Sequence, residues 1–135
     1  MPLSIPYIPQ EKRIKGGMCF WEGMAAVRLA KLYVPCKSKE EASSIATALI
    51  EKRLVACANI FPVSSVYRWK GKVESANEHV LLLTTRKSLV GKARGAITKL
   101  HSYGVPAILE IPVLSANAPY AGWVAGETST RKVRA

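Results

Sequence analysis

The side chains able to do chemistry in this sequence are few. They are Cys19, Cys36 and Cys57, His79 and His101, and nine acids, every one of them Glu. Three cysteines without C-x-x-C spacing build neither a disulfide framework nor a zinc knuckle, and they suit a reducing compartment. The lack of Asp disfavours a hard-cation cage of the Asp-rich loop type. No phosphate-cradling pattern occurs, neither G-x-G-x-x-G nor G-x-x-x-x-G-K-[S/T]. A Cys57–His101 nucleophile pair would be the simplest catalytic reading, but neither an oxyanion-hole signature nor an orienting Asp accompanies it. One stretch stands out for a different chemistry. Residues 65–74, SVYRWKGKVE, crowd two aromatics, two lysines and an arginine around one glycine. Such a stretch is either a nucleic-acid face or a β-hairpin that needs stiff rings.

The charge balance bears on that choice. The 135 residues carry 20 Lys+Arg against 9 Asp+Glu, a formal net charge of +11. A surface of this kind attracts polyanions by counterion release whatever its function, so nucleic acid is expected as a non-specific partner only. The run RKSLVGKARG adds a basic helix face, for which solvation is the default role. Hydrophobic residues make up 49% of the chain, a globular value, and the length suits one domain with a real core. No run approaches the roughly 18–20 apolar residues of a membrane span, so no membrane partner is expected. Residues 1–25 hold three prolines, a Gly-Gly and interrupting charges. They read as a disordered extension; Glu11 and Glu22 weaken a targeting-segment reading. Residues 26–128 form the expected domain, and 129–135 a basic tail.

Periodicity supplies the elements. Val27–Val34 is β-rich and stops at Pro35. Ser38 with Glu41 three residues on is a capping box, and Ala42, Ile45, Ala46 and Leu49 fall on one face of the helix it starts. Leu54–Ile60 returns to strand period, Pro62 marks a bend or an edge, and the strand resumes through Trp69. Lys70-Gly71 is a tight turn, followed by the return strand. Ser88 is expected to cap a second helix and Gly104 to stop it. A fourth strand within VPAILEIPVL has Pro106 and Pro112, as an edge would. Asn117 then caps a short helix carrying Tyr120 and Trp123, which should pack onto the sheet.

The order β-α-β-β-α-β plus a last helix is an α+β, ferredoxin-like sandwich with an extended hairpin of its second and third strands. Right-handed crossovers place both long helices on one face of an antiparallel sheet. The opposite face and the overlong hairpin then need cover, and a second copy of the chain is the cheapest.

Four ordered segments carry a resemblance. RLVACANI (Arg53–Ile60), SVYRWKGKVE (Ser65–Glu74), LHSYGVP (Leu100–Pro106) and NAPYAGW (Asn117–Trp123) resemble the CutA family of divalent-cation tolerance proteins. The family pattern is roughly R-L-A-A-C-x-N, S-x-Y-x-W-x-G-K-x-E, H-P-Y-x-x-P-E and N-x-x-Y-x-x-W. The resemblance spans about residues 27–128. It implies a homotrimer, a cytoplasmic setting, a role in metal tolerance with copper as the ion, and no enzymatic reaction. It also answers the question of residues 65–74, since Tyr67, Trp69, Lys72 and Glu74 become hairpin and intersubunit residues. Tyr103, Tyr120 and Trp123 join them in the cleft region.

His101 matches the family histidine and Cys36 a cysteine before the first helix; together they offer copper a soft S/N pair. Cys57 matches a small buried strand residue, and is expected to be structural. The chain departs from the pattern in two places. Ser102 and Ala107 replace the proline and the carboxylate of H-P-Y-x-x-P-E, and Thr84-Thr85 stands where the family has Lys-Thr.

Overall fold

The computed structural model describes residues 27–129; the readings made for residues 1–25 and for most of the basic tail lie outside it. The chain runs β1 (Leu29–Cys36), α1 (Lys39–Glu51), β2 (Cys57–Trp69), β3 (Lys72–Arg86), a 3-10 turn (Lys87–Leu89), α2 (Val90–Leu100), β4 (Leu109–Pro112) and α3 (Ala118–Glu127). The four strands form one antiparallel sheet in the order β2-β3-β1-β4. This is the α+β plan the sequence predicts.

Strand period sorts β1 onto two faces. Ala30, Leu32, Val34 and Cys36 point into the main core, where Ala42, Ile45 and Leu49 of α1 and Ala93 and Ile97 of α2 meet them. Leu83 and Leu81 of β3 complete that layer. The opposite face is not left bare. α3 lies across one end of it, where Ala121 and Val124 are buried with Leu29 and Ala56, and Tyr120 and Trp123 pack against them.

The hairpin is long and regular. β2 and β3 pair from Cys57↔Thr84 to Trp69↔Lys72 without interruption at Pro62, which lies opposite His79. β2 is an edge strand, and an edge tolerates a residue that cannot donate to a second ladder. The connection is Lys70 at φ 51 and Gly71 at φ 80. Two positive φ values in a two-residue loop make the turn whose twist matches paired strands.

Four boundary expectations are corrected. β1 continues through Pro35 to Cys36, because β4 pairs only with Ala30–Tyr33 and one side of the ladder is empty at Pro35. Ser88 does not cap α2. It lies within the 3-10 turn, and the Val90 N–H is already spent on the Lys87 carbonyl. Gly104 does not stop α2 either, since the helix ends at Leu100 and His101 turns out with ψ 142. Asn117 precedes α3 in extended conformation, but its side chain makes no capping bond.

Candidate functional site

At one end of the sheet, the last residue of β1, the first turn of α1 and the residue after α2 converge. Ser38 accepts a hydrogen bond from the Glu41 N–H at 3.1 Å, as a helix cap should. The Glu41 carboxylate does not complete the expected capping box with Ser38. Its Oε1 accepts from the Lys37 N–H at 3.1 Å, and its Oε2 reaches across the fold to the Ser102 N–H at 2.7 Å. Partial burial alone would raise this carboxyl. The bonds from Ser102 and Lys37 and the neighbouring His101 ring outweigh burial and hold it below the usual range.

His101 is buried, only 8% exposed. Its Nε2 lies 2.9 Å from the Pro35 carbonyl, and its Nδ1 accepts the Tyr103 N–H at 3.1 Å. An accepting Nδ1 leaves the ring proton on Nε2, which donates to Pro35. Both nitrogens are therefore engaged. The Tyr103 ring packs 4.7 Å from the imidazole, and its hydroxyl donates to Glu78 Oε2 at 2.7 Å. Burial, then the Glu78 bond and charge, push the Tyr103 phenol upward.

Cys36 is fully buried, and its thiol lies 3.6 Å from the Val34 carbonyl. Burial, then the Glu41 and Glu78 charges, push the thiol up to about 12. Cys36, Glu41 and His101 each bring a potential ligand atom, and these atoms lie within 4.8 Å of one another. Sulfur, nitrogen and oxygen in one cluster suit copper or zinc in kind. To ligate, the thiol must lose its proton, and His101 Nδ1 must give up the Tyr103 amide.

The thiol also sets an alkaline limit. Its folded value lies above its unfolded one, so its stabilising effect is complete below about pH 8.5. It fades as pH rises toward about 12. Unfolding midpoints measured from pH 7 to pH 10 should fall above pH 8.5, and Cys36→Ala should flatten that fall. Equal slopes in both proteins would refute the assignment.

The remaining predicted residues separate. Cys57 is half-buried rather than buried, with its Sγ 3.3 Å from the Tyr120 hydroxyl. Tyr120 stacks at 5.8 Å on Trp123, within the α3 layer. Tyr67 faces Glu74 and Trp69 faces Lys72 across the hairpin, far from His101 in the sheet register. His79 is half-buried opposite Cys36. Thr85 donates to the Leu54 carbonyl at 2.6 Å. Thr84 accepts from Lys31 Nζ at 2.9 Å, across the β1–β3 pair.

Glu41, Glu78 and Ser102 are the site residues that sequence reasoning missed. Glu41 had a visible signal, standing five positions after Cys36 at a helix start. Its local capping role concealed the longer reach.

A family model described as "CutA1 divalent ion tolerance protein" matches residues 30–127. The chain belongs to the CutA1 family. Mouse Protein CutA is 39% identical over 93 residues, 68% of this chain and 52% of its own length. Arabidopsis thaliana "Protein CutA, chloroplastic" is 33% identical over 98 residues, 72% of this chain and 54% of its own. This CutA1 chain thus spans about half the length of those two relatives. The solved structure of the "Periplasmic divalent cation tolerance protein CutA" from Archaeoglobus fulgidus superposes with a TM-score of 0.74 at 35% identity. That match covers 75% of this chain and 99% of the other. The family is thus named for ion tolerance and not for a reaction. Among the described residues, no helix of this CutA1 chain is long and apolar enough to cross a membrane.

Proposed function

We propose that the chain is a non-enzymatic, homotrimeric divalent-ion tolerance protein that takes copper at Cys36, Glu41 and His101. The convergence of those three donors within 4.8 Å carries the reading. Thiol and imidazole prefer copper over zinc by the Irving–Williams order and scarcely take magnesium. Affinity is modest, because the ion must displace a thiol proton and the Tyr103 amide on Nδ1, and Glu41 is already hydrogen-bonded. Two free cysteines, Cys36 and Cys57, accord with a reducing, cytoplasmic setting. Self-association accords with the apolar residues a single copy leaves in water: Trp69 is 59% exposed and Val66 71%. No observation favours the nucleic-acid reading, because the basic-aromatic stretch is a regular hairpin.

Calorimetry with copper tests the site. Wild type should bind, His101→Ala should lose most of the binding, and Cys57→Ser should bind normally. Unchanged binding in His101→Ala would move the ion elsewhere, and no binding by any of the three would end the copper reading.

A further inference from the structure

Ser102 occupies a donor that the copper site needs. Its N–H lies 2.7 Å from Glu41 Oε2, the carboxylate oxygen that also stands 3.8 Å from His101 Nδ1. The next amide, Tyr103 N–H, sits on Nδ1 itself at 3.1 Å. One short segment of backbone therefore hydrogen-bonds two of the three prospective ligands, taking one acceptor site of the Glu41 carboxylate and the Nδ1 lone pair of His101. A proline at position 102 would have no N–H to offer Glu41, whereas Ser102 supplies one.

We propose that Ser102 is a resident competitor for the metal. Ion capture at Cys36–Glu41–His101 and latching of the segment after α2 onto α1 are alternatives, and the exchange weakens binding while coupling it to that segment. This rests on the copper reading and deepens it. A hydrogen bond to an ionised carboxylate is among the stronger ones and draws charge from the oxygen an ion would bind, while the single Nδ1 lone pair cannot serve Tyr103 N–H and an ion together. Release of the amides frees residues 102–107, where Tyr103 links to Glu78 and Val105 stands in solvent. An ion arriving at this end of the sheet thereby changes the surface of the loop. Coupling of this kind follows when ligand and latch use the same atoms.

Ser102→Pro separates the two halves of the idea without altering a ligand. His101 already has φ −76 and ψ 142, the extended conformation favoured before proline. Ser102→Ala removes only the hydroxyl and keeps the N–H. Full-length wild type and both variants are titrated with Cu2+ by calorimetry, with free thiols counted before and after to exclude oxidation. Amide exchange of residues 101–107 is followed with and without the ion. Ser102→Pro should bind about tenfold more tightly than wild type, the scale of one charge-assisted hydrogen bond. Ser102→Ala keeps that N–H and should bind like wild type, and Cu2+ should speed exchange at Ser102 and Tyr103 in wild type. Equal affinities in wild type and Ser102→Pro, or binding without faster exchange at Ser102, would overturn the competition and leave the copper site standing. No binding by any of the three would overturn both.

Discussion

Replacing His101 with alanine is expected to lower the unfolding free energy by about 3 kcal/mol, from lost packing and two buried groups left unpaired. The imidazole ties three elements. Nε2 holds the Pro35 carbonyl near the end of β1, Nδ1 holds the Tyr103 amide, and the ring lies beside Glu41 at the start of α1. Alanine strands the carbonyl and the amide and opens a void against the Tyr103 ring. Two milder variants divide the effect. Asn at 101 can keep an acceptor near the Nδ1 position, and Gln can keep a donor near Nε2, so each should recover part of the loss. Urea unfolding at one fixed protomer concentration measures this, because association would otherwise shift the midpoint. A loss below about 1 kcal/mol for His101→Ala, the scale of one ordinary hydrogen bond, would mean that the ring is not the tie described. This measurement is independent of copper, so it separates a structural histidine from a ligating one.

The second large effect concerns assembly. Light scattering after size exclusion should give a mass about three times 14.7 kDa. Trp69→Ala should shift the particle toward smaller species at micromolar protomer. In one copy Trp69, Tyr67, Val66 and Val73 stand exposed along the far half of the hairpin, while Leu109 and Ile111 stand exposed on the β4 edge. An edge strand and a long apolar ribbon rarely persist in water unless something covers them. An aromatic ring at the centre of such an interface contributes about 2 kcal/mol or more, which is roughly a thirtyfold change in the association constant per contact. A monomeric wild type at micromolar concentration would refute the assembly. An unchanged mass for Trp69→Ala after dilution would leave the trimer and remove Trp69 from its interface.

Local chemistry was legible in the order of the residues. Ser38 announces α1, the apolar stripe from Ala42 to Leu49 announces its buried face, and Lys70-Gly71 announces the hairpin turn. These follow from interactions within four residues of one another and from the periods of helix and strand, which any stretch of sequence displays. The element order then left few ways to arrange the sheet, because crossovers have one hand. Tertiary structure decided the partners. Glu41 meets Ser102 across 61 residues, and His101 meets Pro35 across 66. A side chain that can satisfy a local cap or a distant amide chooses only when the fold brings both within reach. The same holds for the ends of α2. The 3-10 turn absorbed the role expected of Ser88, and the His101 tie to β1 drew the chain out of the helix before Gly104. Sequence alone determined that Cys36 and His101 are present with the right donors. Their burial, with the thiol protonated and both imidazole nitrogens engaged, depends on atoms supplied by β1, α1 and β3 together, and no local pattern records that.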